Sequence, residues 1–231
     1  RARRDAGVRA LVLAIDSPGG SMAGGEALYQ AIRRFAETKP VVAVMGGTGA
    51  SAAYMIAMPA HRVLARESTL TGSIGVLIQS FDLSELATRL GVRPEVLASG
   101  PLKNQPGLFN PLSDEGRALL RHIIADLHGQ FVGIVAQGRR MEEARVRELA
   151  DGRIYTGREA VGLGLIDAIG GEREARAWLA SERQVAETLP IRDLATRSTA
   201  ERLLQETVGS VINSLVSEWL GVDGPRAVWQ R

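Results

Sequence analysis

The chain has 231 residues, 45% hydrophobic and 23% charged, enough to bury the core of one large domain, or of one domain with an appendage. Its 28 Lys+Arg nearly balance 26 Asp+Glu, and a net charge of +2 spread along the chain argues against a nucleic-acid footprint. There is no cysteine, which excludes cysteine proteases, thiol redox motifs, disulfides and zinc–thiolate sites and leaves the compartment open.

No apolar run reaches the length of a membrane span, and no signal peptide opens the chain. Arg1-Ala2-Arg3-Arg4-Asp5 reads as a helix end feeding a strand, as in a fragment whose natural N-terminus is missing. Val8 to Ile15 is a nearly unbroken apolar run, expected as a strand buried on both faces. Asp16-Ser17-Pro18-Gly19-Gly20-Ser21 breaks it, and Leu28, Ala31, Ile32 and Phe35 follow at helical spacing. Pro40 to Gly47 reads as a second buried strand, with Thr48-Gly49-Ala50-Ser51 leading into another apolar helix. The alternation describes parallel βαβ units.

Short extended pieces are expected at Arg62–Ala65, Ile74–Ile78 and Arg93–Ala98. A helix is expected over Leu83–Leu90, with Asp82 and Glu85 as a capping pair. Residues 99–111 hold three prolines and no periodicity, so they form a loop. A long amphipathic helix runs from Ser113 towards Gly138, carrying Leu120, Ile123, Ile124, Leu127, Phe131, Ile134 and Val135 on one face. The division expected is a domain over 1–180, then a linker and an amphipathic helical tail over 181–231. The tail helix starts at Ser198 or Thr199 and carries Leu204, Val208, Val211, Leu215 and Trp219.

Two adjacent glycines, Gly19 and Gly20, allow backbone N–H groups to point at a ligand, although such a pair can equally be a plain turn. No G-x-G-x-x-G and no Walker lysine motif is present, which disfavours a nucleotide site. Ser51 stands among small residues where a strand meets a helix. There the following N–H can face a developing oxyanion; the simpler alternative is a helix N-cap. A serine nucleophile needs a base. His61, His122 and His128 read as structural or solvated, the last two lying off the main stripe of the long helix. Only two lysines occur. Lys39 precedes Pro40 and reads as solvated, whereas Lys103 lies in a loop bounded by Pro101 and Pro106. A lysine base must be neutral near pH 7, about three units below its ordinary pKa of about 10.4, and a dry pocket can provide that.

The strings DSPGGS (Asp16–Ser21), GASAAY (Gly49–Tyr54), TGSIGV (Thr71–Val76) and SGPLKNQ (Ser99–Gln105), in this order and spacing, resemble the signal peptide peptidase A family, a group of Ser/Lys peptidases. The likeness covers roughly Val8 to Ala180, and Tyr155-Thr156-Gly157 and Gly164-Leu165-Ile166-Asp167 extend it. It implies an α/β fold of the ClpP/crotonase-like kind. It also implies Ser51 as nucleophile, Lys103 as base, and Ser73 holding the lysine amine. The N–H groups of Gly20 and Ala52 would form the oxyanion hole. Gly19 would set the turn, with Ser21, Ile74, Gly75 and Val76 along an extended substrate. Ala52-Ala53 replaces the Gly-Gly common in the family, which would place two methyl groups near the oxyanion hole.

The same resemblance implies no metal or cofactor and a homo-oligomer with the dyad shared between subunits. Substrates would be released signal peptides and unfolded segments. The location implied is the bacterial cytoplasmic membrane, with an N-terminal anchor and an extracytoplasmic catalytic part. Three other readings remain. A ClpP-type protease would need a histidine about 25 residues after the serine, where this chain has Val76. A crotonase-type acyl-CoA enzyme would use carboxylates, and the nearest downstream is Glu67. A non-catalytic membrane scaffold would keep the fold and lose reactivity at Ser51.

Overall fold

A mixed sheet organises the chain around one central strand. The computed structural model describes residues 2–194. The chain divides into two compact units, Arg1–Leu189 and Pro190–Arg231, and the expected tail helix from Ser198 or Thr199 lies outside the described residues. In the first unit, β1 (Leu11–Ser17), α1 (Met22–Ala36), β2 (Val41–Ala50), α2 (Ala52–Ala57), β3 (Arg62–Ala65) and β4 (Leu70–Gly72) follow in turn. Next come α3 (Ser84–Arg89), α4 (Asp114–Arg139), α5 (Glu143–Leu149), β5 (Ile154–Thr156), α6 (Gly157–Gly162), β6 (Ala168–Ile169) and α7 (Glu172–Arg183).

The α/β architecture with parallel βαβ units is the one expected from the alternation of apolar runs and glycine turns. β2 pairs in parallel with β1, β3 and β4. β6 joins β3 in parallel, and β5 closes onto β4 in antiparallel fashion. Val41, Val42, Ala43 and Met45 of β2 are fully buried, as befits a strand with partners on both edges. β1 departs from expectation: among the described residues it pairs with β2 alone, and only Ile15 of the strand is buried. An apolar run alone does not distinguish a central from an edge strand.

Further expectations are corrected. Neither Ile74–Ile78 nor Arg93–Ala98 forms a strand. Among the described residues neither segment forms a ladder with a strand of the sheet, and Leu77, Val96 and Leu97 are exposed. The Asp82–Glu85 pair does not cap α3: Asp82 Oδ1 accepts from the Ser84 N–H, and the N-cap position falls on Leu83. Lys39 is not simply solvated, because its ammonium donates to the carbonyls of Ala2 and Asp5. It thereby ties the first turn to the start of β2.

α4 matches its expected span, with Ser113 as N-cap accepting from the Gly116 N–H. Phe131, Val132 and Val135 are buried in the core, whereas Ile123 in the N-terminal half is exposed. His128 is not solvated either: its Nε2 is buried with no hydrogen-bond partner among the described residues. His61 is structural, its Nδ1 accepting from the Val41 N–H.

The C-terminal end of α4 is locked to β3 by charge. Arg139 donates to both carboxylate oxygens of Asp167 (2.8 and 3.1 Å) and to the Gly164 carbonyl, while Asp167 also accepts from the Val63 N–H. Burial pushes the Asp167 carboxyl up, but the Arg139 guanidinium and the Val63 N–H outweigh this and hold it below its ordinary value. A carboxylate depressed in the folded state contributes stability above its unfolded pKa and loses it as pH falls through the folded one. Asp167→Ala leaves the mostly buried guanidinium without its counter-charge and is expected to cost about 3 kcal/mol at pH 7. Denaturant unfolding should show this cost shrinking as pH drops below the carboxylate range.

Candidate active site

Ser51 is the single residue between the last residue of β2 and the first of α2, with φ 53° and ψ −128°. A non-glycine side chain enters that region at a cost of order 1–3 kcal/mol. A sharp strand-to-helix turn of this kind is also how a serine hydroxyl is lifted clear of its own backbone. The turn is held from several sides. The Ser51 N–H donates to the Gly72 carbonyl (2.9 Å), and its carbonyl accepts from the Met55 N–H (3.0 Å). Upstream, Thr71 Oγ1 donates to the Gly49 carbonyl.

Downstream, the buried Tyr54 hydroxyl donates to the Leu165 carbonyl at 2.6 Å. Burial pushes the Tyr54 pKa well above its ordinary value, with Arg139 opposing, so the phenol stays a donor. Ser51 makes no side-chain cap bond to α2. The N-cap alternative is therefore not realised, and the hydroxyl is left without a partner among the described residues.

Gly19 packs directly on Ser51. With φ +123°, a Cβ built on it would lie 2.7 Å from Ser51 Cβ and 3.1 Å from Ser51 Oγ. The turn is braced by Ser17, whose hydroxyl accepts from the Gly19 N–H and donates to its carbonyl. Gly20 faces open space, and its N–H has no acceptor among the described residues. The N–H of Ala52, first in α2, has none either, as expected at a helix N-terminus. Two free donors thus lie in the turn packed on Ser51 and at the residue after it. The Ala52 methyl does not intrude on this space: it faces Gly25 of α1, where an added Cβ would be 3.0 Å away, and Ala53 is buried in the core.

Ser73 adjoins Gly72, whose carbonyl holds the Ser51 N–H. Its own φ is 49°, and its N–H donates to the Arg153 carbonyl. Of the residues expected along the substrate, Ser21 spends its hydroxyl capping α1. Ile74 is fully buried in the core, so only its backbone could meet a substrate. Gly75 lies against Gly152, where a Cβ would come within 3.2 Å, and Val76 is half-buried.

Lys103 stands apart. It is exposed on a turn, and its side chain makes no hydrogen bond to Ser51 or Ser73. Its loop is nonetheless knitted: Asn104 and Asn110 bond to each other, Gln105 Oε1 accepts from the Ser113 N–H, and the Leu83 N–H donates to the Leu108 carbonyl. The fold therefore brings Gly19, Gly20, Ser51, Ala52 and Ser73 together, and among the described residues no hydrogen bond joins the exposed Lys103 side chain to them. Sequence reasoning missed Tyr54 and Thr71 as supports of the turn. The aromatic at the end of GASAAY was the one available signal. Among the described residues no cluster of three or more His, Asp or Glu side chains could hold a metal ion. A cleft of about 380 Å³ lined by Tyr29, His61, Arg139 and Asp167 contains none of the candidate site residues.

A strained serine with an unpartnered hydroxyl beside two free N–H donors, on an α/β sheet, is an arrangement suited to a nucleophile. Residues 33–186 match the sequence model of Peptidase family S49, and the chain belongs to that family. A Synechocystis sp. relative is 40% identical over 172 residues, covering 74% of this chain and 62% of its own length. The Arabidopsis thaliana "Serine protease SPPA, chloroplastic" is 33% identical, covering 93% of this chain and 31% of its own. "Protease 4" of Haemophilus influenzae is 29% identical, covering 97% and 38%. The chain thus spans less than two thirds of these relatives. A solved structure of a ClpP1 mutant from Listeria monocytogenes superposes with a TM-score of 0.47 at 16% identity, over 72% of this chain and 77% of that one.

The two glycines of the turn are expected to differ sharply. Gly19→Ala must displace Ser51 from an already strained backbone and is expected to cost roughly 1–3 kcal/mol, a fall of several degrees in Tm. Gly20→Ala, built into open space, should leave Tm close to that of the parent. Thermal denaturation followed by circular dichroism checks both.

Proposed function

We propose that this chain is the catalytic part of a serine endopeptidase working through a Ser51–Lys103 dyad. The observation that carries the reading is the Ser51 joint, with its positive φ, uncommitted hydroxyl and neighbouring free donors. Ser51 Oγ attacks a peptide carbonyl while the neutral Lys103 amine takes its proton. The oxyanion of the tetrahedral intermediate accepts from the N–H groups of Gly20 and Ala52, where each donor contributes of order 10²–10³ in kcat. The lysine ammonium then protonates the leaving amine, and the same amine activates water to release the acyl group from Ser51. Ser73 hydrogen-bonds the lysine amine and aims it.

In this reading Lys103 reaches the Ser51 of a neighbouring copy. A lysine acts as base only where its charge is disfavoured, and an exposed turn does not provide that. An interface would. The segment that precedes the Lys103 loop supports one: Leu77 is 80% exposed, Phe81 64% and Leu97 92%, an unusual display of large apolar side chains for an isolated domain. Released signal peptides and other unfolded segments are the proposed substrates. An N-terminal anchor would hold the enzyme at the bacterial cytoplasmic membrane, with this part on the outer side. Among the described residues no helix is long and apolar enough to cross a membrane.

Ser51→Ala is expected to abolish hydrolysis of casein with an unchanged circular-dichroism spectrum. Lys103→Arg should be as inactive as Lys103→Ala, because arginine keeps its proton. Turnover in Ser51→Ala removes the nucleophile, and turnover in Lys103→Arg removes the base.

The sharing of the dyad has its own test. Ser51→Ala and Lys103→Ala, each inactive alone, should regain part of the parent activity when unfolded and reassembled together, since some interfaces then pair an intact serine with an intact lysine. Silence from mixed oligomers shown to have formed places the dyad within one subunit.

A further inference from the structure

β1 and β2 do not keep one register. Leu11 through Ile15 pair with Val41 through Met45 in step, but Ser17 pairs with Gly49. Between these pairs β2 has three residues where β1 has one. Asp16 is the one residue of β1 inside the slip, facing Gly46, Gly47 and Thr48. Its Oδ1 accepts from the Thr48 N–H at 2.9 Å. Gly46 and Gly47 make room for the carboxylate: a Cβ on Gly46 would lie 3.2 Å from Asp16 Cγ and Oδ2, and one on Gly47 3.5 Å from Oδ1. The other side of the bulge is pinned by the buried Thr69, whose hydroxyl donates to the Gly46 carbonyl and accepts from the Arg66 N–H.

The slip decides what stands beside the nucleophile. Had the first register continued, Gly19 would lie level with Gly49. Displaced by two, it lies level with Ser51 and packs against that side chain. The Gly20 N–H follows Gly19 directly. The alignment of oxyanion donor with nucleophile therefore depends on extra backbone in β2, and a bulge of this kind leaves backbone groups that need partners.

We infer that Asp16 is a positioning residue, whose carboxylate oxygen holds the two-residue bulge of β2 and so brings the Gly19-Gly20 turn level with Ser51. The inference rests on the Ser51 peptidase reading and adds to it a residue that touches neither substrate nor nucleophile. What matters is the acceptor atom rather than the charge, because its partner is a neutral backbone N–H.

The test measures kcat and KM separately on an unfolded peptide substrate, with the parent and Ser51→Ala alongside. Asp16→Ala is expected to lower kcat by about 10²-fold, the scale of an ångström-sized misplacement at a reacting centre, and to leave KM within a few-fold. Asp16→Asn, which keeps an Oδ1 acceptor, should recover to within a few-fold of the parent. An unchanged kcat in Asp16→Ala overturns the inference. So does an Asn variant as slow as the Ala variant, or a loss confined to KM.

If Asp16→Ala does not fold, Gly46→Val decides. A Cβ there stands 3.2 Å from Asp16 Cγ and Oδ2, and the branched side chain takes the space the carboxylate occupies, so a lowered kcat with KM kept supports the inference and a parental kcat overturns it. A parent protein no faster than Ser51→Ala overturns the peptidase reading itself, a failure distinct from the others because it appears before any Asp16 variant is compared.

Discussion

Ser51 is forced into a positive-φ joint because a fully paired strand must give way to a helix within one residue, and the surroundings leave it no other path. Its N–H is held by Gly72, Gly49 before it by Thr71, and the helix after it by Tyr54. A strain of order 1–3 kcal/mol persists only where neighbouring structure over-determines it, and here three separate hydrogen bonds do so. The same joint explains why small residues surround it. Gly19 and Gly25 let the first turn and α1 come up against Ser51 and Ala52, and larger side chains at either place would push the serine away from its donors.

The support for this joint is distributed over the chain. Leu165, which accepts from Tyr54, belongs to the segment that Arg139 and Asp167 fasten to the end of α4. Arg153, whose carbonyl accepts from the Ser73 N–H, immediately precedes the strand that pairs with β4. The part of the molecule after residue 140 thus contributes no proposed catalytic atom, yet it holds both Ser51 and Ser73 in place. Membership of Peptidase family S49 through residue 186 agrees with a site whose geometry depends on that later half.

Lys103 presents the opposite situation. Its loop is internally cross-bonded but makes no hydrogen bond to the serine, and Leu102, Leu108 and Phe109 within it are exposed to solvent. In the proposed reading the base is a neutral amine, and the exposed turn that carries Lys103 does not exclude water among the described residues. Packing of a second copy over these side chains would bury apolar area and dehydrate the lysine in the same step. The stability of such an assembly and its chemistry would then rest on one surface.

The sequence by itself determined the periodic and local features. The βαβ alternation, the Arg62–Ala65 strand and the span of α4 were legible, because they follow from hydrophobic period within a few residues. The motif strings also located Gly19, Gly20, Ser51 and Ser73. The tertiary structure alone decided which strand lies at the centre, since β1 and β2 carry the same apolar signature and differ only in partners. It also decided against strands at Ile74–Ile78 and Arg93–Ala98, because β-favouring residues become a strand only where a partner lies alongside, and neither segment is paired. The direction of the Ala52 methyl and the role of Asp16 belong to this second group. Asp16 read as a residue that ends a strand, whereas it sits inside a register slip between two strands. A slip is a relation between segments some thirty residues apart, and no local pattern in either one encodes it.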